Sequence, residues 1–195
     1  SQIRTYPTLI TSLNFWLPAS TFALSFSIFG IFFIGGPYIA VKVFNLSPTV
    51  MGIYLASPAL GYVLGNILVS RIANLVSTKN LMVFGSLILV LGPCSSLLLS
   101  NFFLHPLSFY LPILIMTFGS GIIWPASNAE IVKAIPHLAG SASGLGSAIM
   151  TLMSSFAAFL TGVYIEKTNP MDFVCYFLIL VGLLSFFSSL YSRSR

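Results

Sequence analysis

The sequence predicts an all-α membrane protein, a bundle of six transmembrane helices. Three observations carry this. First, the 195 residues are 57% hydrophobic and 6% charged, against about 25% charge in an ordinary soluble domain. Second, the apolar runs are continuous. That excludes the alternating pattern of a membrane β-barrel and leaves helices, which satisfy their backbone groups internally in lipid. Third, the charges stand far apart. No Asp, Glu, Lys or Arg lies between Arg4 and Lys42, between Lys42 and Arg71, between Lys79 and Glu130, between Lys133 and Glu166, or between Asp172 and Arg193. A turn signal from Asn101 to Pro106, around His105, divides the long third gap.

Each gap is read against the roughly 20 apolar residues that a span needs. Residues 1–15 lack the short apolar core and small-residue cleavage site of a signal peptide, and read as a juxtamembrane segment. The first span, 16–41, is rich in Phe, and Gly35-Gly36-Pro37 is the breaker expected to end it. The second, 48–71, is interrupted by Pro58 and stops at Arg71. The third, 80–101, is read as interrupted by Pro93, and the fourth, 106–131, by Pro125. The fifth, 138–165, follows the Pro136-His137 turn and opens on the small-residue run AGSASGLGSA. The sixth is 172–192, and 193–195 is left as a tail.

Lys and Arg give the orientation. Six spans put both termini on one side. Arg4, Arg71, Lys79, Lys133, Arg193 and Arg195 share that side, and Lys42 and Lys167 lie opposite. The six-to-two split predicts cytoplasmic termini.

Several functions are excluded or left without support. The net charge of +5 is spread singly, with no basic patch for nucleic acid. Cys94 and Cys175 read as free thiols packed in spans, and no metal site or cofactor is expected. His105 and His137 read as turn residues beside prolines. The spans hold no Ser/His set, paired Asp or HExxH, so the chain is not expected to be an enzyme. No span has a charge near its middle, so a proton-coupling group is missing from this sequence.

Small and polar side chains collect where helices touch or where a cavity holds water. Ser25, Phe29, Phe32 and Gly36 share one side of the first span. In the second, Tyr54, Ser57, Gly61 and Gly65 form a stripe with Asn66 beside it. In the fourth, Thr117, Ser120, Gly121, Trp124 and Asn128 share a face. In the fifth, Gly140, Ser143, Gly144, Ser147, Thr151, Ser154 and Ala158 do so. The third and sixth spans show no comparable stripe, and read as outer supports. Two readings fit the four stripes. Close packing suits the small-xxx-small pairs Gly140/Gly144, Ser143/Ser147 and Ser154/Ala158. Cavity lining suits the bulkier, more polar Tyr54, Trp124 and Asn128.

WPASNAEIVKAIPHLAGSASGLGSAIM (124–150) resembles the tenth-to-eleventh helix junction of the bicyclomycin-resistance (Bcr/CflA) drug–proton antiporters, within the major facilitator superfamily. The matching residues are Pro125, Asn128, Pro136, His137, Ala139, Gly140, Ser141, Ala142 and Ser143. FNLSPTVMGIYLASPALGYVLGNILVSRI (44–72) resembles the loop and eighth helix of that family. GNILVSRIANLVSTKN (65–80) is similar to the superfamily's basic loop motif, keeping Gly65, Arg71 and Lys79. Order and spacing match from about residue 15 to 192.

The resemblance implies the C-terminal half of a twelve-helix transporter in a bacterial inner membrane. It implies multidrug efflux by antiport, with alternating access. The expected partners are lipid, an N-terminal six-helix half that takes the protons, and a lipophilic small-molecule substrate. It also implies that the first, second, fourth and fifth helices border the substrate cavity. With the stripes, this gives the expected lining: Phe29, Phe32, Tyr54, Ser57, Asn66, Thr117, Ser120, Trp124, Asn128, Ser147, Met150 and Thr151. Gly140, Ser143, Gly144 and Ala158 are the expected packing residues. Met150 stands where the family commonly has glutamine, and Ser70 where an acidic residue often stands. The alternatives are a split or truncated protein that does not transport, and a channel of several copies.

Overall fold

The computed structural model describes residues 12–134 and 136–194, apart from the side chain of His137. Within them the chain forms α1 (Leu13–Lys42), α2 (Pro48–Leu55), α3 (Ser57–Ile72), α4 (Thr78–Phe102), α5 (Pro106–Ala134), α6 (Ala139–Tyr164) and α7 (Pro170–Ser194), with a 3₁₀ turn at Pro136–Leu138. The pair α2–α3 forms one length, so six stretches are long and apolar enough to cross a membrane. Helix starts and ends lie up to three residues from the charge-based limits. Residues 13–15 and 193–194, read as flanking segments, are helical. The rest of the 1–15 segment, except Ser12, and Arg195 lie outside the described residues.

Local chemistry places the ends. Ser77 caps α4, its hydroxyl accepting from the Asn80 N–H at 3.3 Å. Asn169 caps α7, its side-chain oxygen accepting from the Met171 N–H at 3.2 Å. His105 opens α5, with Nδ1 accepting from the Leu107 N–H at 3.2 Å. After α1 the chain turns at Asn45 (φ 51°), the left-handed region that Asn tolerates.

Proline acts differently from the expectation. Pro37 does not end α1, which runs on to Lys42, and Pro93 and Pro125 lie within unbroken helices. Near Pro58 the helix does break, at Ala56. In lipid a helix gains nothing by opening, because no water waits for its freed carbonyls. The carbonyl that Pro37 leaves without its helical donor is that of Phe33, four residues back; nearby, the Tyr110 hydroxyl donates to the Gly36 carbonyl at 2.8 Å.

The core lies around α1 and α5, whose most apolar windows are 61% and 67% buried. The windows of α2–α3 and α6 are each 22% buried. Helix α5 packs on α4, α3 and α1; α1 packs on α6, α7 and α5; and α4 packs on α7. A close seam joins α3 to α5. A Cβ on Gly61 would strike the Leu114 carbonyl and the Thr117 hydroxyl, and one on Gly65 would strike the Phe118 carbonyl. The α1–α6 crossing is as close, since a Cβ on Gly30 would strike the Ser154 carbonyl.

The packing stripe of α6 is not the expected one. Gly140 and Gly144 face open space, and a Cβ on either would meet nothing within 4 Å. Ala142, Gly146, Ala157 and Thr161 are the buried positions instead. A helix that packs along one side has two small-residue faces here, and only contact with α1 and α5 separates them. The two outer helices also carry stripes. Gly182, Ser185, Ser189 and Ser192 of α7 are buried, as are Gly85, Ser86, Gly92 and Ser96 of α4. Cys175 is buried beside Ser96, its thiol 3.5 Å from the Ser96 hydroxyl.

Candidate functional site

Trp124 of α5 stands in the gap between α1 and α3. Its ring centroid lies 4.6 Å from Phe26, 5.0 Å from Phe29, 4.7 Å from Tyr62 and 6.5 Å from Phe22. Phe22, Phe26 and Phe29 follow one stripe of α1, and Tyr62 comes from α3. Beside this cluster is a cavity of about 270 Å³, lined by Phe22, Tyr62, Asn66, Trp124, Pro125, Asn128, Ser143 and Ser147. Four spans therefore contribute to it.

The polar groups are uncharged and make up much of the lining: Tyr62, Asn66, Asn128, Ser143 and Ser147. The Asn66 amide donates to the Tyr62 carbonyl at 3.0 Å, which fixes the side chain and leaves its oxygen free to accept. Ser143 donates to the Asn128 side-chain oxygen at 3.3 Å and so links α6 to α5. The indole N–H of Trp124 is buried and has no partner. A buried donor without an acceptor costs about 1–3 kcal/mol. Among the described residues, no Asp, Glu, Lys or Arg lines it. The site combines aromatic faces on one side with uncharged hydrogen-bonding groups on the other.

Of the residues expected to line a cavity, Asn66, Trp124, Asn128 and Ser147 lie on this one, and Phe29 belongs to its aromatic wall. Met150 packs at its edge with the Phe22 and Ala142 cluster. Thr151 is exposed on α6, its hydroxyl turned back to the Ser147 carbonyl at 2.9 Å. The others are corrections. Thr117 is buried against Gly61, with its hydroxyl bonded back to Ile113 and Leu114. Ser120 is wholly buried and leans toward the Met116 carbonyl at 3.4 Å. Phe32 is buried edge-on to Tyr110 at 6.3 Å. Ser57 reaches the Tyr110 carbonyl at 3.4 Å, and Tyr54 lies 5.0 Å from the Tyr110 ring. Phe32, Ser57 and Tyr54 form a separate group around Tyr110.

Three wall residues escape the sequence reading: Phe22, Phe26 and Tyr62. The signal for the first two is present, since 22, 26 and 29 are spaced as one helical face. Ser143, read as packing, bridges to Asn128, while Ala158 is half-buried along α6.

The loop-motif residues separate into two roles. Gly65 belongs to the α3–α5 seam, and Arg71 is exposed at the end of α3. Lys79 lines a polar recess of about 250 Å³ with Asn14, Glu130, Lys133 and Ser192. There the Thr78 hydroxyl donates to the Glu130 carboxylate, and the Lys133 ammonium lies 3.1 Å from Glu130 and 3.2 Å from Thr78. The cluster ties the start of α4 to the end of α5.

Comparison with known proteins agrees with this architecture. The family model described as the Major Facilitator Superfamily matches residues 1–158. A Bacillus subtilis (strain 168) protein named as an uncharacterized MFS-type transporter, YdgK, is 23% identical over 155 residues. That alignment covers 78% of this chain and 38% of the relative, so the chain spans well under half of the relative's length. The six apolar helices make the chain a multi-pass integral membrane protein. It belongs to the Major Facilitator Superfamily, a family of membrane transporters rather than enzymes.

Proposed function

We propose that this chain is the C-terminal half of a drug–proton antiporter of the Bcr/CflA type, which exports lipophilic molecules across a bacterial inner membrane. The observation that carries the proposal is the Trp124 cavity, bordered by four spans and walled by aromatic rings. At about 270 Å³ it falls just below the ~300–1,000 Å³ of complete small-molecule sites. One side of a site shared with an N-terminal six-helix half would have that size. The sparsely covered α2–α3 and α6 are where such a half would dock. Alternating access would come from one half rocking against the other. The cavity has no carboxylate lining, so proton binding is assigned to the partner half.

A cysteine scan in the natural protein tests the site, after Cys94 and Cys175 are replaced. Cysteines at 66, 128 and 147 should react with a small hydrophilic thiol reagent, and bound drug should slow that reaction. Cysteines at 117 and 120 should stay unreactive, because α3 covers one and both are buried. Equal reactivity at both sets, or no protection at 128 and 147, would remove the cavity from the mechanism.

The same proposal places both termini in the cytoplasm, from the six-to-two charge split. Reporter fusions at Lys79, Lys133 and Arg195 should read cytoplasmic, and fusions at Asn45 and Asn169 external. A cytoplasmic reading at Asn169 would reverse or break this topology.

A further inference from the structure

Helices α6 and α7 both pack along α1, and between them runs an open, apolar groove. Its wider part, about 470 Å³, begins at the α6–α7 connection around Tyr164, Asp172 and Tyr176. A narrower part of about 150 Å³ continues it toward Met153 and Leu184, floored by Leu24 and Ser27 of α1. Leu160, Phe177 and Leu180 line both parts, so the two form one channel. From Asp172 to Leu184 the helix rises about 18 Å at ~1.5 Å per residue. Half of a ~30 Å hydrocarbon core is roughly 15 Å. The groove is therefore one leaflet deep, which is the length of a lipid chain and not of a whole span.

The mouth carries both signs of charge. Asp172 is half-buried in the first turn of α7. Lys167 sits in the α6–α7 connection, with its ammonium 5.1 Å over the Tyr164 ring. Among the described residues, neither has a salt-bridge partner. The Lys167–Tyr164 contact holds the cation at the edge of the groove, since an aromatic face attracts it. An anion of a ligand would meet Lys167, and a cation would meet Asp172.

We propose that this groove is a specific site for a zwitterionic glycerophospholipid with a primary-amine headgroup. One acyl chain lies along Phe177 and Leu180 toward Leu184. The lipid phosphate pairs with Lys167. The headgroup ammonium donates to the Asp172 carboxylate, a charge-assisted bond that a quaternary amine cannot make. An anionic headgroup would leave Asp172 unpaired and repelled. The inference rests on the membrane placement of the bundle and not on drug export.

The test uses the natural protein in nanodiscs that contain photoreactive lipids with a diazirine at the acyl-chain end. Phosphatidylethanolamine, phosphatidylcholine and phosphatidylglycerol probes carry the same chain, and adducts are mapped by peptide mass spectrometry. The ethanolamine probe should label the stretch around Met153, Phe156 and Leu184 about fivefold more than the glycerol probe. Asp172→Asn should bring that ratio close to one while total labelling persists, and Leu160→Trp should block labelling with all three probes. Gel filtration and circular dichroism of both variants should match the parent, which separates lost binding from lost folding. Equal labelling by all three probes in the parent would overturn the proposal. So would an unchanged ratio in Asp172→Asn, or displacement of the ethanolamine probe by a simple alkyl-trimethylammonium ion at matched concentration.

Discussion

Gly121→Leu is expected to destroy the bundle, lowering its stability by about 3 kcal/mol or more, beyond the ordinary range for overpacked cores. A Cβ on Gly121 would strike the Tyr62 carbonyl and lie 3.0 Å from both the Asn66 nitrogen and the Gly65 Cα. All three are backbone atoms of α3, so no rotamer change can relieve the clash. Only separation of the helices can, and that would open the seam of Gly61, Gly65 and Gly121 together. It would also displace Tyr62 and Asn66 from the cavity. The contrast is Gly144→Leu, where a Cβ meets nothing within 4 Å. In the 195-residue chain expressed alone, that variant should melt within about 0.5 kcal/mol of the parent. Scanning fluorimetry and gel filtration in one detergent provide both readings. A Gly121→Leu chain that elutes and melts like its parent would mean that the α3–α5 seam is looser than described.

The second large effect is expected at Trp124. Trp124→Ala in the natural protein should weaken binding of a planar lipophilic dye by about 2 kcal/mol, roughly thirtyfold in Kd. Trp124 meets four rings on two helices, so its loss removes a stacking face and lets the aromatic wall collapse into the space. Trp124→Phe keeps a ring but loses the N–H. The N–H is buried without a partner, so its loss should cost far less than loss of the ring, whatever acceptor the dye carries. Fluorescence titration of the dye measures both, with gel filtration as the check on folding. Unchanged affinity in Trp124→Ala would place the substrate elsewhere and would leave the cluster as packing.

The cavity is only partly legible in the sequence. Thr117, Ser120, Trp124 and Asn128 share one helical face, so periodicity treats them alike. The structure divides them by level along α5. At Thr117 the α3 backbone closes in through Gly61; at Trp124 the gap between α1 and α3 admits an indole and a cavity. A helical stripe records direction around an axis, and says nothing of how near the neighbouring helices come at each turn. The same limit explains α6. Its small residues lie on two faces, and spacing favours Gly140 and Gly144 for packing where Ala142 and Gly146 hold that place.

What the sequence by itself determined is the class, the number of helices and the positions of their ends. These follow from the cost of placing a charge in hydrocarbon, a property each residue carries alone. Superfamily membership was similarly near the surface, since Gly65, Arg71 and Lys79 keep the order of its loop motif without any contact being known. Tertiary structure decided which small residues touch, that Pro37 and Pro125 do not break their helices, and which rings surround Trp124. It also brought Tyr164 and Asp172 to a groove that runs on over Leu24 and Ser27 of α1, far away in sequence. Each of these depends on distances between helices. In lipid those distances are set by van der Waals fit between surfaces of similar apolarity, which leaves little trace in composition or period.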